Sequence, residues 1–444
     1  MLDKVKSSVA GFANKVAAKA TEVNNKVAKN AKKQEEAQYL VGLDIGTEYV
    51  KALIGKVVED GVEVIGVGRA HQDLSDMQAG AIADIASVVE NCDKALNQAE
   101  QEAGVSVRTA VIGIAGELVK GTTTTVRVAR KNADKPLDLV EVERIIKLVQ
   151  QRAEVKAKKQ LAWELGGKEV EVKLVNSALV GIEIDGYKVT SPIGFQGKEV
   201  VVQLYTAFAP LIHIGALERT AQQLDLDLLA VAAEPFAVSR SVIGDDTSAS
   251  MNAILMDVGG GTTDIAVITD GGVQGTKMFG IGGRAYTRAV ERSLNVEFDT
   301  AEELKVGLGA GKVAPQKAAA VESALNNTLD VWMGGVELAL AEFEKLDHLP
   351  HKLLLCGGGS SLDLLMDKLT DSDWYTKLPF TRKPIVQHIQ PDEVVGIVDK
   401  TGDVTDHTFI TAMGLLRVGL DTLQFSQDAG AGSIREKIDR VLRT

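Results

Sequence analysis

The chain has 444 residues, enough for two core-bearing lobes with insertions, and its 45% hydrophobic and 25% charged content is that of a soluble globular protein. A net charge of −12 argues against generic nucleic-acid binding. Cys92 and Cys356 read as free thiols of a reducing compartment, the six scattered histidines lack metal-ligand spacing, and no run of 18 apolar residues predicts a membrane-spanning helix.

Segment 1–38 is rich in Lys, Ala, Val and Asn and repeats every 11 residues, with DKVK at Asp3 and NKVA at Asn14 and Asn25. Eleven residues in three turns is about 3.67 per turn, close to a straight helix. Val5, Val16 and Val27 share one phase, Val9, Ala20 and Ala31 the next, and Phe12 and Val23 the third. Lys4, Lys15, Lys19 and Lys26 flank this weak apolar stripe, so a basic amphipathic helix is expected. The lysines also interrupt any apolar core of a secretory signal. A shallow berth on anionic lipid, a protein-partner surface and a disordered tail all fit the composition.

From Tyr39, YLVGLDIG, YVKALIGKV and VEVIGVGRA predict three strands in a meander. A helix is expected over 82–103. TAVIGIAG then predicts a strand, 138–155 a helix, and KEVEVKLVNSALVGIEIDG and KEVVVQLYTAFA two more strands. That order suggests a small α+β insertion. A helix near 214–223 and the apolar LDLLAVAAEPFAVSRSV return the chain to the first lobe. At Ala253 the meander recurs as AILMDVGG, TDIAVITDGG and VQGTKMFGIGG, which predicts a second lobe built from the same unit. Helices follow over 284–294, 300–306 and 314–344. HKLLLCGGGSSL reads as a buried strand opening through glycines into a helix, and a last helix covers 407–420. A linker over 426–432 precedes SIREKIDRVLRT. There Ile434, Ile438, Val441 and Leu442 share a face ringed by Arg435, Lys437, Arg440 and Arg443.

The two meanders carry DIGT and DVGGGTTD at matching turns. Glycines in a tight turn let successive backbone N–H groups reach phosphate oxygens. Gly46, Gly259, Gly260 and Gly261 supply that freedom, and Thr47, Thr262 and Thr263 add hydroxyls. Asp44 and Asp257 sit where a carboxylate can hold the water shell of a magnesium ion, which keeps several waters. Lys51 on the outgoing strand can reach a β- or γ-phosphate as a point charge. Gly357, Gly358 and Gly359 allow flat approach to a nucleoside. Each element alone is more often a plain turn. Their combination in this order predicts a nucleotide clamp between two lobes.

On these residues the chain resembles the actin/Hsp70/sugar-kinase superfamily, and within it the FtsA family of bacterial cell-division proteins. The likeness runs from about 39 to 421 and rests on VGLDIGTEYVKALIGKV, GAIADI at Gly80, VIGIAG at Val111, AEPFAVS at Ala233, MDVGGGTTDIAVITDGG at Met256, GIGG at Gly280 and AEELK at Ala301. It implies a two-lobed α/β, ribonuclease H-like fold. Lobe 1A would cover 39–106 and 210–250, with 408–421 returning to it. A 1C insertion would cover 107–209, lobe 2A 251–283 and 345–407, and lobe 2B 284–344. A linker over 422–432 and an amphipathic membrane-targeting helix over 433–444 would complete the chain. The resemblance implies ATP with magnesium as cofactors. It assigns the phosphate loops to Asp44, Gly46, Thr47 and Lys51 and to Asp257, Gly259, Gly260, Gly261, Thr262 and Thr263, with Gly283 in the turn beside them. It assigns ribose and adenine contacts to Glu302 and Lys305, and the adenosine loop to Gly357, Gly358 and Gly359. Glu234 and Asp264 are the candidates to orient an attacking water, with Asp257 beside them. Glu234 alone also reads as a helix-start carboxylate, and Glu302 with Lys305 as a solvent-facing pair.

The implied function is a filament-forming, ATP-binding tether between the tubulin-like protein FtsZ and the cytoplasmic membrane at the septum, with slow hydrolysis at most. Implied partners are the FtsZ C-terminal tail on lobe 2B, further copies of the chain and anionic lipid, with no nucleic acid. The short C-terminal helix lacks aromatics and carries Glu436 and Asp439, so its lipid affinity is modest and filament avidity would supplement it. Segment 1–38 falls outside the resemblance. The alternative is a nucleotide-binding scaffold like the type IV pilus protein PilM. A sugar kinase fits poorly, because 107–209 holds no Gly/Asn/Asp-rich substrate loop. An Hsp70-type chaperone would need a substrate domain after the ATPase.

Overall fold

The computed structural model describes residues 38–243 and 251–427. The 11-residue repeat of 1–38, but for Gln38, and the C-terminal helix of 433–444 lie outside them. Two sheets organise the described chain. The first meander forms β1 (Tyr39–Ile45), β2 (Tyr49–Val58) and β3 (Gly61–His71). Six of the seven β1 residues are buried, as suits a strand covered on both faces. β2 and β3 pair antiparallel with Lys51 opposite Arg69. A two-strand turn, β4 (Met77–Gln78) and β5 (Ala81–Ile82), leads to a helix over Ile85–Ala103. That helix starts three residues later than expected because Asp84 caps it, accepting from the Ala86 and Ser87 N–H groups.

β6 (Thr109–Ile114) lies parallel to β1. Next come β7 (Lys120–Ala129), a helix over Leu139–Glu164, β8 (Val172–Ile184), β9 (Tyr187–Val189) and β10 (Glu199–Pro210). The helix outruns its expected end because Ala153, Ala157 and Leu161 continue its buried face. Small alanines among lysines hide that stripe in the sequence. A helix over Leu211–Gln223 and β11 (Asp227–Ala233), parallel to β6, return the chain, and a helix over Glu234–Ile243 follows.

The second meander forms β12 (Ala253–Val258), β13 (Thr263–Thr269) and β14 (Gly272–Phe279). Helices over Gly283–Leu294, Phe298–Gly309 and Pro315–Ala341 come before β15 (Lys352–Cys356). β15 lies parallel to β12, and β16 (Ile385–His388) parallel to β15. β17 (Ile397–Asp399) joins β3, and a helix over Ile410–Gln427 closes the described chain. Residues 422–427, expected in the linker, belong to that helix, and its expected first turn is a 3-10 turn over His407–Phe409.

The first sheet runs β11-β6-β1-β2-β3-β17, and the second contains β16-β15-β12-β13-β14. Strand for strand the orders correspond: a meander of three, then two parallel neighbours beside its first strand. The repeated Asp-Gly-Thr turn is therefore a repeat of a whole structural unit. The second sheet continues past β14 into β7, β10, β8 and β9 through a single register pair, Gly275 opposite Thr122. The insertion expected over 107–209 starts later than expected: β6 belongs to the first sheet, between β1 and β11, and only β7 to β10 extend the second. It has its own core of Val126, Ile146, Ile182, Val202 and Leu204.

Glycine permits the closest approaches. A Cβ on Gly68 would lie 1.8 Å from the Ala95 carbonyl oxygen, so β3 and the Ile85–Ala103 helix touch backbone to backbone. Gly334, within the Pro315–Ala341 helix, has nothing within 4 Å of the same position. Gly68→Ala is predicted to destabilise the protein by about 1–3 kcal/mol or more. Gly334→Ala is predicted to be neutral or to stabilise by up to about 1 kcal/mol. Chemical denaturation of the two variants checks both signs.

Candidate functional site

The two repeated turns are closed in the same way. The Gly46 N–H donates to the Tyr49 carbonyl at 3.1 Å, and the Gly259 N–H to the Thr262 carbonyl at 2.9 Å. They face each other directly. A Cβ on Gly261 would lie 2.7 Å from Thr47 Oγ1, and one on Gly260 2.9 Å from Glu48 Cβ. The GIGG turn braces the second hairpin, since the Gly283 and Arg284 N–H groups donate to the carbonyls of Gly259 and Gly260 at 2.9 and 2.8 Å.

Between the hairpins lies a cleft of about 350 Å³. Asp44, Gly46, Thr47, Lys51, Glu234, Asp257, Gly259, Gly260, Thr262, Asp264, Gly283, Glu302, Lys305, Gly357, Gly358 and Gly359 all line it. Gly357 has φ +80°, and a Cβ there would fall 2.1 Å from Asp257 Oδ1. Only glycine lets β15 end against that carboxylate. On the Phe298–Gly309 helix, Lys305 pairs with Glu302 at 2.7 Å and donates to the Gly283 carbonyl at 3.2 Å.

Two of the predicted residues do not line the cleft. Gly261 is packed on Thr47. Thr263, read from sequence as a phosphate ligand, has its hydroxyl in the core, where it donates to the Ile281 carbonyl at 2.7 Å and accepts from Trp332 Nε1 at 2.8 Å. Successive strand residues point to opposite faces, so Asp264 faces the cleft and Thr263 turns away.

The floor is acidic. Asp44, Asp257, Asp264 and Glu234 are between 3% and 8% exposed. Lys51 Nζ sits 3.2 Å from Asp44 Oδ2. Burial, then the charges of Asp44, Asp264 and Asp257, hold the Glu234 carboxyl well above the usual carboxylate range. Burial and the nearby Asp257 do the same to Asp264. Burial raises Asp257 as well, against a hydrogen bond from the Thr411 hydroxyl. Asp264 Oδ1 is buried with no hydrogen-bond partner. A surplus of buried carboxylate with an orphaned oxygen is the environment a cation relieves. Among the described residues no three His, Cys, Asp or Glu side chains form a direct metal-ligand set. The buried carboxylates and the orphaned oxygen fit a hydrated cation such as magnesium, which keeps several waters.

Sequence reading missed Glu48, Tyr49, Arg69, Arg284, Ser361, Thr408 and Thr411, which also line the cleft. The hairpin register carried a signal for Arg69. It lies directly across from Lys51, and its guanidinium stacks 3.5 Å above the Tyr49 ring. Thr408 and Thr411 arrive from a 3-10 turn and a helix far along the chain, with no local motif.

Two facing Asp-Gly-Thr hairpins on repeated α/β units define an actin-like fold. A type IV pilus biogenesis complex, PilM–PilN, is similar at a TM-score of 0.62 and 17% identity, covering 86% of this chain and 98% of that one, a likeness of fold alone. Within that class the chain is similar to the cell division protein FtsA. The sequence model of that family matches residues 254–414. FtsA of Pseudomonas aeruginosa is 28% identical over 274 residues, 61% of each chain. FtsA of Bacillus subtilis is 26% identical over 272 residues, 61% of this chain and 58% of its own. The chain thus spans about three fifths of the length of the curated relatives it matches.

The carboxylate floor makes stability depend on pH. Glu234 and Asp264 have folded-state pKa values above their unfolded ones. The folded protein therefore binds more protons, and stability falls as pH rises through the raised values. Glu234→Gln removes one of the groups that must ionise. In ligand-free protein its melting temperature is predicted to exceed the parent's, by a margin that widens as pH rises above the usual carboxylate range. A constant margin would contradict this.

Proposed function

We propose that the cleft binds ATP with magnesium and that the protein is an FtsA-type filament-forming tether of bacterial cell division. The observation that carries this is the pair of repeated hairpins facing each other over a carboxylate floor. In this reading Gly46, Thr47 and Lys51 of the loop that starts at Asp44 hold the phosphates from one side, and Gly259, Gly260 and Thr262 from the other. Lys51 contributes a point charge, and the hairpin N–H groups contribute donors. Magnesium, held through water by Asp44 and Asp257, would neutralise the triphosphate beside the carboxylates. Glu302 and Lys305 flank the ribose and adenine, and Gly357 to Gly359 let the nucleoside lie flat. Glu234 and Asp264 would orient a water at the γ-phosphate. Slow hydrolysis then serves as a switch between lobe arrangements.

The relationship to FtsA supports the remaining assignments. The FtsZ tail would dock on 284–344, and copies of the chain would stack into filaments. Anionic lipid would be bound by 433–444, with 1–38 as a second anchor. No helix among the described residues is long and apolar enough to cross a membrane. The site of action would be the cytoplasmic face of the membrane at the septum. A second reading, a nucleotide-binding scaffold for a membrane-protein tail, draws on the fold likeness to PilM.

Electron microscopy on anionic lipid monolayers with ATP and magnesium tests the tether. Nucleotide-dependent filaments are predicted, lost from lipid when 433–444 is deleted. Loss only on deleting 1–38 would move the anchor to the other end, and no filaments or lipid binding in any form would favour the scaffold. In solution, Lys51→Ala is predicted to weaken ATP binding about tenfold or more, from the ~1.5–3 kcal/mol of a charge-assisted hydrogen bond. Titration calorimetry measures it.

A further inference from the structure

Glu48 belongs to the first hairpin turn and Arg284 to the first turn of the Gly283–Leu294 helix in the second lobe. Arg284 Nε donates to Glu48 Oε2 at 2.7 Å. Arg284 Nη2 reaches the carbonyls of Gln72 at 3.1 Å and Asp73 at 3.4 Å, both just past β3. The other carboxylate oxygen of Glu48 lies 3.0 Å from His71 Nε2. The side chains of Arg284 and Glu48 are only 11% and 24% exposed. The backbone of Arg284 meanwhile donates to Gly260 in the second hairpin. One residue thus grips the second hairpin by its main chain and the first by its side chain. Both partners line the cleft.

We propose that the Glu48–Arg284 pair is a clamp that holds the two hairpins together and sets the rate at which nucleotide leaves. The proposal rests on the nucleotide reading of the cleft. A triphosphate gripped from both sides leaves only when the hairpins part. Parting breaks the ion pair and both carbonyl contacts, and leaves Glu48 with only His71 as a partner beside the phosphates. Contacts made only in the closed arrangement bias the molecule toward it. A partly buried, multiply bonded guanidinium holds far better than an exposed pair.

The test compares Glu48→Gln, Arg284→Gln and the double variant in the full chain. Two readouts are taken: stopped-flow release of N-methylanthraniloyl-ATP with magnesium, and amide hydrogen exchange of the ligand-free protein. Each single change is expected to speed release about tenfold, with the double no faster than the faster single, because the two act as one unit. Exchange should rise together in residues 46–49 and 259–262. Release effects that multiply in the double variant, or unchanged release, would overturn the clamp. If the unaltered protein binds no labelled ATP, the nucleotide reading and control of release both fall. Unchanged exchange would then also remove any role of the pair in holding the hairpins.

Discussion

Burying Asp44, Asp257, Asp264 and Glu234 around one cleft is costly, and the rest of the architecture follows from how that cost is met. Lys51 offsets part of the charge by pairing with Asp44. Thr262 and Thr411 each donate a hydroxyl to a carboxylate. Burial and mutual repulsion raise the Glu234 and Asp264 carboxyls above the usual carboxylate range. What is left, including an orphaned Asp264 oxygen, favours a ligand that brings cations.

The cost is placed in the middle of the molecule by duplication of one unit. Each meander carries a carboxylate one residue before the end of its first strand and turns back through glycine, so opposing two units opposes two acidic hairpins. The backbone must come close for this to work. Gly357 lies against Asp257, Gly260 against Glu48 and Gly261 against Thr47. Helices over Glu234–Ile243 and Ile410–Gln427 carry Glu234 and Thr411 to the same floor, and Gly414 lets them touch. The insertion adds a further brace, since Asn176 Oδ1 accepts from the Ala233 N–H while β7 meets β14.

What was legible in the sequence was what local periodicity and turn chemistry encode. Both meanders, their glycine turns and nearly every predicted cleft residue could be read because strand, turn and strand are contiguous. Thr263 was misjudged because two adjacent threonines look alike until strand alternation assigns one to each face. The Leu139–Glu164 helix was cut short because Ala153 and Ala157 carry little apolar signal among lysines. Arg284, Thr408 and Thr411 were invisible for another reason: their place in the site depends on how distant segments cross. The join between β14 and β7 is of the same kind, a single pair of residues far apart in the chain.

The central claim is that this floor is built for a nucleotide together with its cation. Isothermal titration of the full chain with ATP, in the presence and absence of magnesium, tests it most directly. The account predicts saturable binding that weakens severely when magnesium is withheld, since phosphates alone would meet uncompensated carboxylates. Binding indifferent to magnesium, or none at all, would contradict it.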